Sequence, residues 1–222
     1  MSPATFLEHA DVDDSFSDPL MTLTVWGWMA ISYFLVSRLA YVIGVGIALS
    51  RQHRHEYFSR RYGAEAGFLR FRRAASLIMN NDGAAFIIVC MATAHTLHLT
   101  LPGPIRIGLG TALAVIGVGS KVWAARTLGA RAYYWHNFFV PKPCVPLDPP
   151  GPYRYLKNPM YTVGYLQTYG LALVLGSLPG LLAAAFAQAS ILAFHNLVEK
   201  PHFELLTRAD SRLCERASKG EA

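Results

Sequence analysis

Apolar stretches of about 20 residues recur from residue 20 to residue 198, broken by short polar or proline-glycine segments. A helix needs roughly that length to cross a bilayer core of ~30 Å. The pattern therefore constrains the chain to an all-α integral membrane protein. Composition agrees, with 53% apolar and only 15% charged residues, against ~25% charged in soluble domains. A length of 222 residues suits a single membrane domain over 1–222 and leaves little for a separate soluble one.

About five transmembrane helices are predicted, at 20–49, 83–99, 105–123, 161–178 and 181–198. The first is long and carries Arg38, which implies tilt or an interfacial end, with Arg38 snorkelling or paired inside the bundle in a structural role. Residues 67–79 (GFLRFRRAASLIM) alternate apolar and basic faces, as a helix lying on an anionic membrane surface does. Asp82 reads as the N-cap of the helix that starts at Gly83. His95 and His98 are three apart with no third ligand nearby, and read as packed or interfacial residues, with no metal assigned. LPGP (101–104) and GSLPG (176–180) are tight reversals. Gly108, Gly110, Gly117 and Gly119 permit close helix contact in the third span.

Charge is distributed by loop. Of 20 Lys and Arg, seven lie in 51–73, six in 121–157 and five in 200–219. Basic residues on alternate connections follow the positive-inside rule, which places those loops in the cytoplasm. The acidic stretch 1–19 is then an extracytoplasmic tail rather than a secretory leader, and the C-terminus is cytoplasmic. The same distribution argues against nucleic acid as the partner of the net +6 charge. Cys90, Cys144 and Cys214 are widely spaced and form no disulfide or zinc pattern. The lack of an organelle signal and the small size make a bacterial inner membrane the default location. The oligomeric state is not readable.

The chain divides into residues 20–123, three spans and a basic loop, and 124–222, a long connecting segment, the last two spans and a polar tail. Segment 124–160 is too long and too aromatic for a simple connector. Tyr133, Tyr134, Trp135, His136, Phe138 and Phe139 read as an aromatic belt. Seven prolines, from Pro141 to Pro159, stiffen the second half of the segment. Residues 151–161, GPYRYLKNPMY, are different: rings, donors and cations at the mouth of an apolar hairpin make a binding loop.

That run resembles the signature G-P-Y-x-x-x-R-(H/N)-P-x-Y of the integral-membrane methyltransferases, which include isoprenylcysteine carboxyl methyltransferases and phospholipid N-methyltransferases. A second signature of that superfamily, E-E-x-x-L, corresponds to Glu199-Lys200-Pro201-His202-Phe203 after the last span. The likeness covers about Gly151 to Leu206 by motif. It implies S-adenosylmethionine as cofactor, held by a C-terminal hairpin and its adjoining cytosolic loops. It also implies that Val145, Pro146, Leu147 and Asp148 line the cofactor's way in, and that Tyr153, Asn158, Pro159, Met160 and Tyr161 contact it. Glu199 would bind a polar or positive part. The charge of Lys157 suits the cofactor's carboxylate, and lipid headgroup contact is the equal alternative for Arg154 and Lys157.

The departures are specific. Lys157 replaces the usual Arg and loses its bidentate fork. Asn158 replaces His, Lys200 replaces the second Glu, and Gly164 falls three residues after Tyr161 rather than two. His195 stands where prenylcysteine-specific members place an Arg, and a His is a poorer carboxylate clamp. His195 is also four residues before Glu199 and shares its helix face. His195, His136 and Tyr161 are the candidate bases, with His195 assigned as catalytic. The resulting expectation is methyl transfer to a lipophilic acceptor, a phospholipid amine or similar lipid before a prenylcysteine carboxylate. The alternatives are a membrane reductase of the related sterol-reductase fold and a non-catalytic scaffold. The reductase lacks a dinucleotide glycine fingerprint, and a transporter lacks paired intramembrane charges.

Overall fold

The computed structural model describes residues 23–140 and 151–205. The expected cofactor-lining stretch Val145–Asp148, with Cys144, Cys214 and the 1–19 tail, lies outside the described residues. Helix α1 (Val25–Leu39) passes through a π turn (Ala40–Gly44) into α2 (Val45–His55). A short α3 (Tyr57–Tyr62) precedes α4 (Ala64–Ala92) and α5 (Gly103–Tyr133). Helices α6 (Leu166–Leu175) and α7 (Leu178–Phe194) form the closing hairpin. Among the described residues, four continuous segments are long and apolar enough to span a membrane: 25–55, 64–92, 103–138 and 178–205.

The expected span at 161–178 is realised instead as an apolar helical segment, Val163–Leu175. Its 13 residues reach about 20 Å at 1.5 Å per residue, less than a bilayer core. It survives because it packs along α5. A Cβ on Gly170 would lie 2.5 Å from the Gly110 carbonyl oxygen, and one on Gly110 would lie 2.8 Å from that of Gly170. A Cβ on Gly117 would strike the Gln167 backbone. Gly108 and Gly119 meet nothing, so two of the four glycines in this span make the contact. Two backbones that approach this closely gain dispersion and weak polar contact that larger residues forbid.

Two sequence expectations are corrected. Asp82 is not an N-cap, and residues 67–79 do not form a separate surface helix. Both lie within the single helix α4. Asp82 is held in mid-helix because its Oδ2 accepts from Arg38 Nη1 at 2.7 Å, deep in the bundle. Arg38 is 2% exposed and also donates to the Tyr165 hydroxyl, to Ser190 Oγ at 3.0 Å and to the Ala187 carbonyl at 2.6 Å. One guanidinium thus ties α1 to α4, α6's approach and α7. In a low-dielectric interior an ion is tolerated only with such full pairing.

The ends are pinned by side-chain caps. Thr24 Oγ1 accepts from Gly27 N at 3.3 Å, and Ser177 Oγ from Gly180 N at 2.8 Å. At that second end the 93–102 loop meets the α6–α7 turn through His95 N–H to Leu175 O and Leu97 N–H to Gly176 O. Gly176 takes φ +62, which closes the turn. The opposite end gathers residues 51–63, 131–140, 151–162 and 195–205, and with them most of the described basic residues.

Two outcomes are expected from this packing. Gly170→Val drives α5 from α6 and lowers stability by about 1–3 kcal/mol, whereas Gly119→Ala is neutral or mildly stabilising; thermal scans in detergent, followed by size-exclusion fluorescence, separate them. Arg38→Met strands the Asp82 carboxylate at about 3–5 kcal/mol. The same scan should show the double variant Arg38→Met/Asp82→Leu recovering part of that loss.

Candidate active site

At the basic end of the bundle, α7 continues through a second π turn, His195–Glu199. The Lys200 N–H donates to His195 O across it. Wide turns of this kind recur at functional sites because they re-aim side chains inside a helix. Here the turn brings His195 and Glu199 together, with Nδ1 and Oε2 2.6 Å apart, as their spacing predicts. The other carboxylate oxygen, Oε1, accepts from the Tyr161 hydroxyl at 2.7 Å and from the Trp135 indole. Glu199 is 5% exposed. A carboxylate only accepts, so all three partners present protons to it and His195 carries its hydrogen on Nδ1.

Tyr161 reaches Glu199 because its loop is rigid. Asn158 O accepts the N–H groups of Tyr161 and Thr162, and Pro159 O accepts that of Gly164 at 2.8 Å. Pro159 is fully buried beneath this turn. From α7, Gln188 Nε2 donates to Tyr161 O at 3.1 Å, and Gln188 Oε1 accepts from Tyr169. Burial and the neighbouring Glu199 carboxylate push the phenols of Tyr161 and Tyr153 above their ordinary value. Both stay protonated donors, which removes Tyr161 as a base at neutral pH.

Trp135 arrives from the other side. Gly129 (φ 77) breaks α5 and turns the chain across the site. Trp135 itself sits at φ 56, a left-handed conformation unusual for a bulky residue. It is buried against Phe194 and Phe71, with ring centroids 5.7 and 6.2 Å away. Phe138 and Phe139 are buried too. The expected aromatic belt at 133–139 is therefore corrected: Trp135, Phe138 and Phe139 are core. His136 is likewise buried, edge-on to Phe68 at 4.6 Å, with Nε2 3.4 Å from Glu65 Oε2. It does not line the site.

These elements enclose a cavity of about 520 Å³. Tyr133, Trp135 and Asn137 wall one side; Tyr153, Lys157, Asn158, Met160 and Tyr161 the second; His195, Glu199 and Lys200 the third. Every described residue expected at the site lines it except Pro159, which supports the turn from below, and the candidate base His136. Lys200, where the resemblance has a second acid, sits on the wall, exposed, with Nζ 4.0 Å from Glu204. Sequence reasoning missed the roles of Trp135 and Asn137. The signal for Trp135 was weak: an indole N–H needs a partner when buried, and a carboxylate waited 64 residues on.

The site lies within residues 105–206, the segment matched by the profile of the phospholipid methyltransferase family. Among curated relatives, phosphatidylethanolamine N-methyltransferase of Zygosaccharomyces rouxii is 26% identical, covering 82% of this chain and 26% of its own length. The enzyme of that name from Malassezia globosa is 27% identical (78% and 22%). The one from Clavispora lusitaniae is 32% identical (62% and 17%). The chain spans about a quarter or less of the length of these relatives. No solved structure matches it significantly. The matched segment, residues 105–206, carries the whole described wall of the cavity, so this part of the chain is similar to the phospholipid methyltransferase family.

Proposed function

We propose that this protein transfers a methyl group from S-adenosylmethionine to a lipophilic acceptor, a phospholipid amine in the first instance. The observation that carries this is the meeting of Tyr161 and Glu199, 38 residues apart, across one cavity. The cavity's volume falls within the 300–1,000 Å³ typical of cofactor sites. S-adenosylmethionine, when bound, supplies a methyl already activated by its sulfonium leaving group.

The residues suit that cofactor's chemistry. Tyr133, Tyr153 and Trp135 offer faces for a purine and for a sulfonium cation. Lys157 is the cation for a carboxylate, and Asn158 offers both donor and acceptor. Glu199, with three lone-pair sites occupied, keeps one for an ammonium or ribose hydroxyl. Its larger task is to hold Tyr161, Trp135 and His195 in place. In the neutral imidazole of His195, with Nδ1 donating to Glu199, Nε2 carries the lone pair, and it is the group assigned to take the acceptor's proton. Chemistry then depends on alignment and on excluding water, which the buried aromatic wall provides. The relatives' name supports a phospholipid amine as acceptor, and the crowding of basic residues at this end supports a cytoplasmic site.

Titration of S-adenosylmethionine into the purified protein in detergent should give saturable binding. Tyr161→Phe and Glu199→Gln each weaken it at least tenfold, or about 1.4 kcal/mol. Binding of reduced nicotinamide instead, or no binding of either, overturns the proposal. With labelled cofactor and a lipid extract, His195→Ala keeps cofactor affinity within about threefold yet slows label transfer into lipid by roughly 10²–10⁴-fold.

A further inference from the structure

A second cavity of about 490 Å³ lies beside the first. Tyr133, Trp135, Met160 and Tyr161 line both, so the two share a wall. The second runs into the bundle, where Arg38, Asp82 and Lys121 line it, and Ile87 and Val118 carry it to the exposed, lipid-facing surface. Its charged groups are unequal. Arg38 is saturated by four partners. Asp82 gives Oδ2 to Arg38, but its Oδ1 is buried with no hydrogen-bond partner among the described residues. Lys121 Nζ lies 5.4 Å from the centre of the Tyr165 ring, and no hydrogen bond or ion pair holds it among the described residues. It stands 18 residues after the start of α5, about 27 Å along the helix, near the level at which a bilayer core gives way to headgroups.

A spare acceptor oxygen and a spare ammonium, in a cavity open to lipid, call for a ligand that carries an N–H donor, an anion and acyl chains. A buried acceptor oxygen left without a donor is costly, and an ammonium with only a ring beside it can take a stronger anionic partner, so such a ligand satisfies both groups at once. We infer that this second cavity binds the acceptor's headgroup, a phosphodiester bearing a primary, secondary or tertiary amine. Its phosphate lies on Lys121 and its N–H on Asp82 Oδ1, beside the wall shared with the first cavity. The assignment of this headgroup as methyl acceptor rests on the methyl-transfer function proposed above. It adds a consequence: a fully methylated quaternary amine has no N–H left for Asp82 and is held more weakly.

The test uses the full chain in a non-ionic detergent and short-chain probes: dihexanoyl phosphatidylethanolamine, dihexanoyl phosphatidylcholine, dihexanoylglycerol and free phosphoethanolamine. Calorimetry should rank the ethanolamine lipid at least fivefold tighter than the choline lipid, and both above dihexanoylglycerol and phosphoethanolamine. Lys121→Met, which removes only the ammonium's contact with the Tyr165 ring, weakens both phospholipids at least tenfold. Asp82→Asn removes the preference for ethanolamine over choline. Equal binding by wild type and Lys121→Met overturns the inference, as does dihexanoylglycerol or phosphoethanolamine matching the ethanolamine lipid. S-adenosylmethionine binding is measured on the same samples and stays unchanged in Lys121→Met. Loss of cofactor binding in the wild type alongside intact, Lys121-dependent lipid binding sinks methyl transfer and leaves the headgroup site standing.

Discussion

A single buried carboxylate organises the basic end of this protein. Glu199 accepts from Trp135, Tyr161 and His195, which belong to three separate stretches of chain. A buried carboxylate is expensive to desolvate unless its lone pairs are filled. Filling them requires the broken end of α5, the proline-stiffened loop and the π turn after α7 to converge. The same requirement that stabilises the acid builds the cavity around it.

The membrane-embedded half obeys a parallel rule. Arg38 is offset by four partners, and one of them, Asp82, sits in α4. Hydrophobic burial discriminates little between helix pairs in lipid, because lipid tails are as apolar as leucine. Small residues and polar pairs decide instead. Gly110, Gly117 and Gly170 set how closely α5 and α6 approach, and Arg38 with Asp82 sets how α1 and α4 face each other. A helical segment as short as Val163–Leu175 is sustained by that close contact rather than by its own length.

Much of the site was legible in the chain. The residues of the 151–161 run and Glu199 converge because they flank a tight hairpin, and the spacing of His195 from Glu199 put both on one helical turn. Trp135 was not legible. Tyr133, Tyr134, His136, Phe138 and Phe139 surround it in sequence, so composition pointed to an interfacial belt, whereas the fold gives Trp135 a left-handed backbone and buries its ring beside Phe194 and Phe71. Asp82 escapes a local reading for a related reason. Next to two asparagines and a glycine it has every local mark of a cap, yet its partner lies 44 residues away.

Sequence alone determined what is local or compositional: the apolar, helical character of the chain, the clustering of basic residues on particular connections and the tight turn at Gly176. These depend on hydropathy, charge and backbone freedom, which each short segment carries by itself. Tertiary structure alone decided which buried polar groups meet. It made Asp82 the partner of Arg38 rather than a helix cap, drew Trp135 onto Glu199, and set a second cavity against the first. Those outcomes depend on the cost of leaving a polar atom unpaired in a low dielectric, and that cost is settled only when distant segments are packed together.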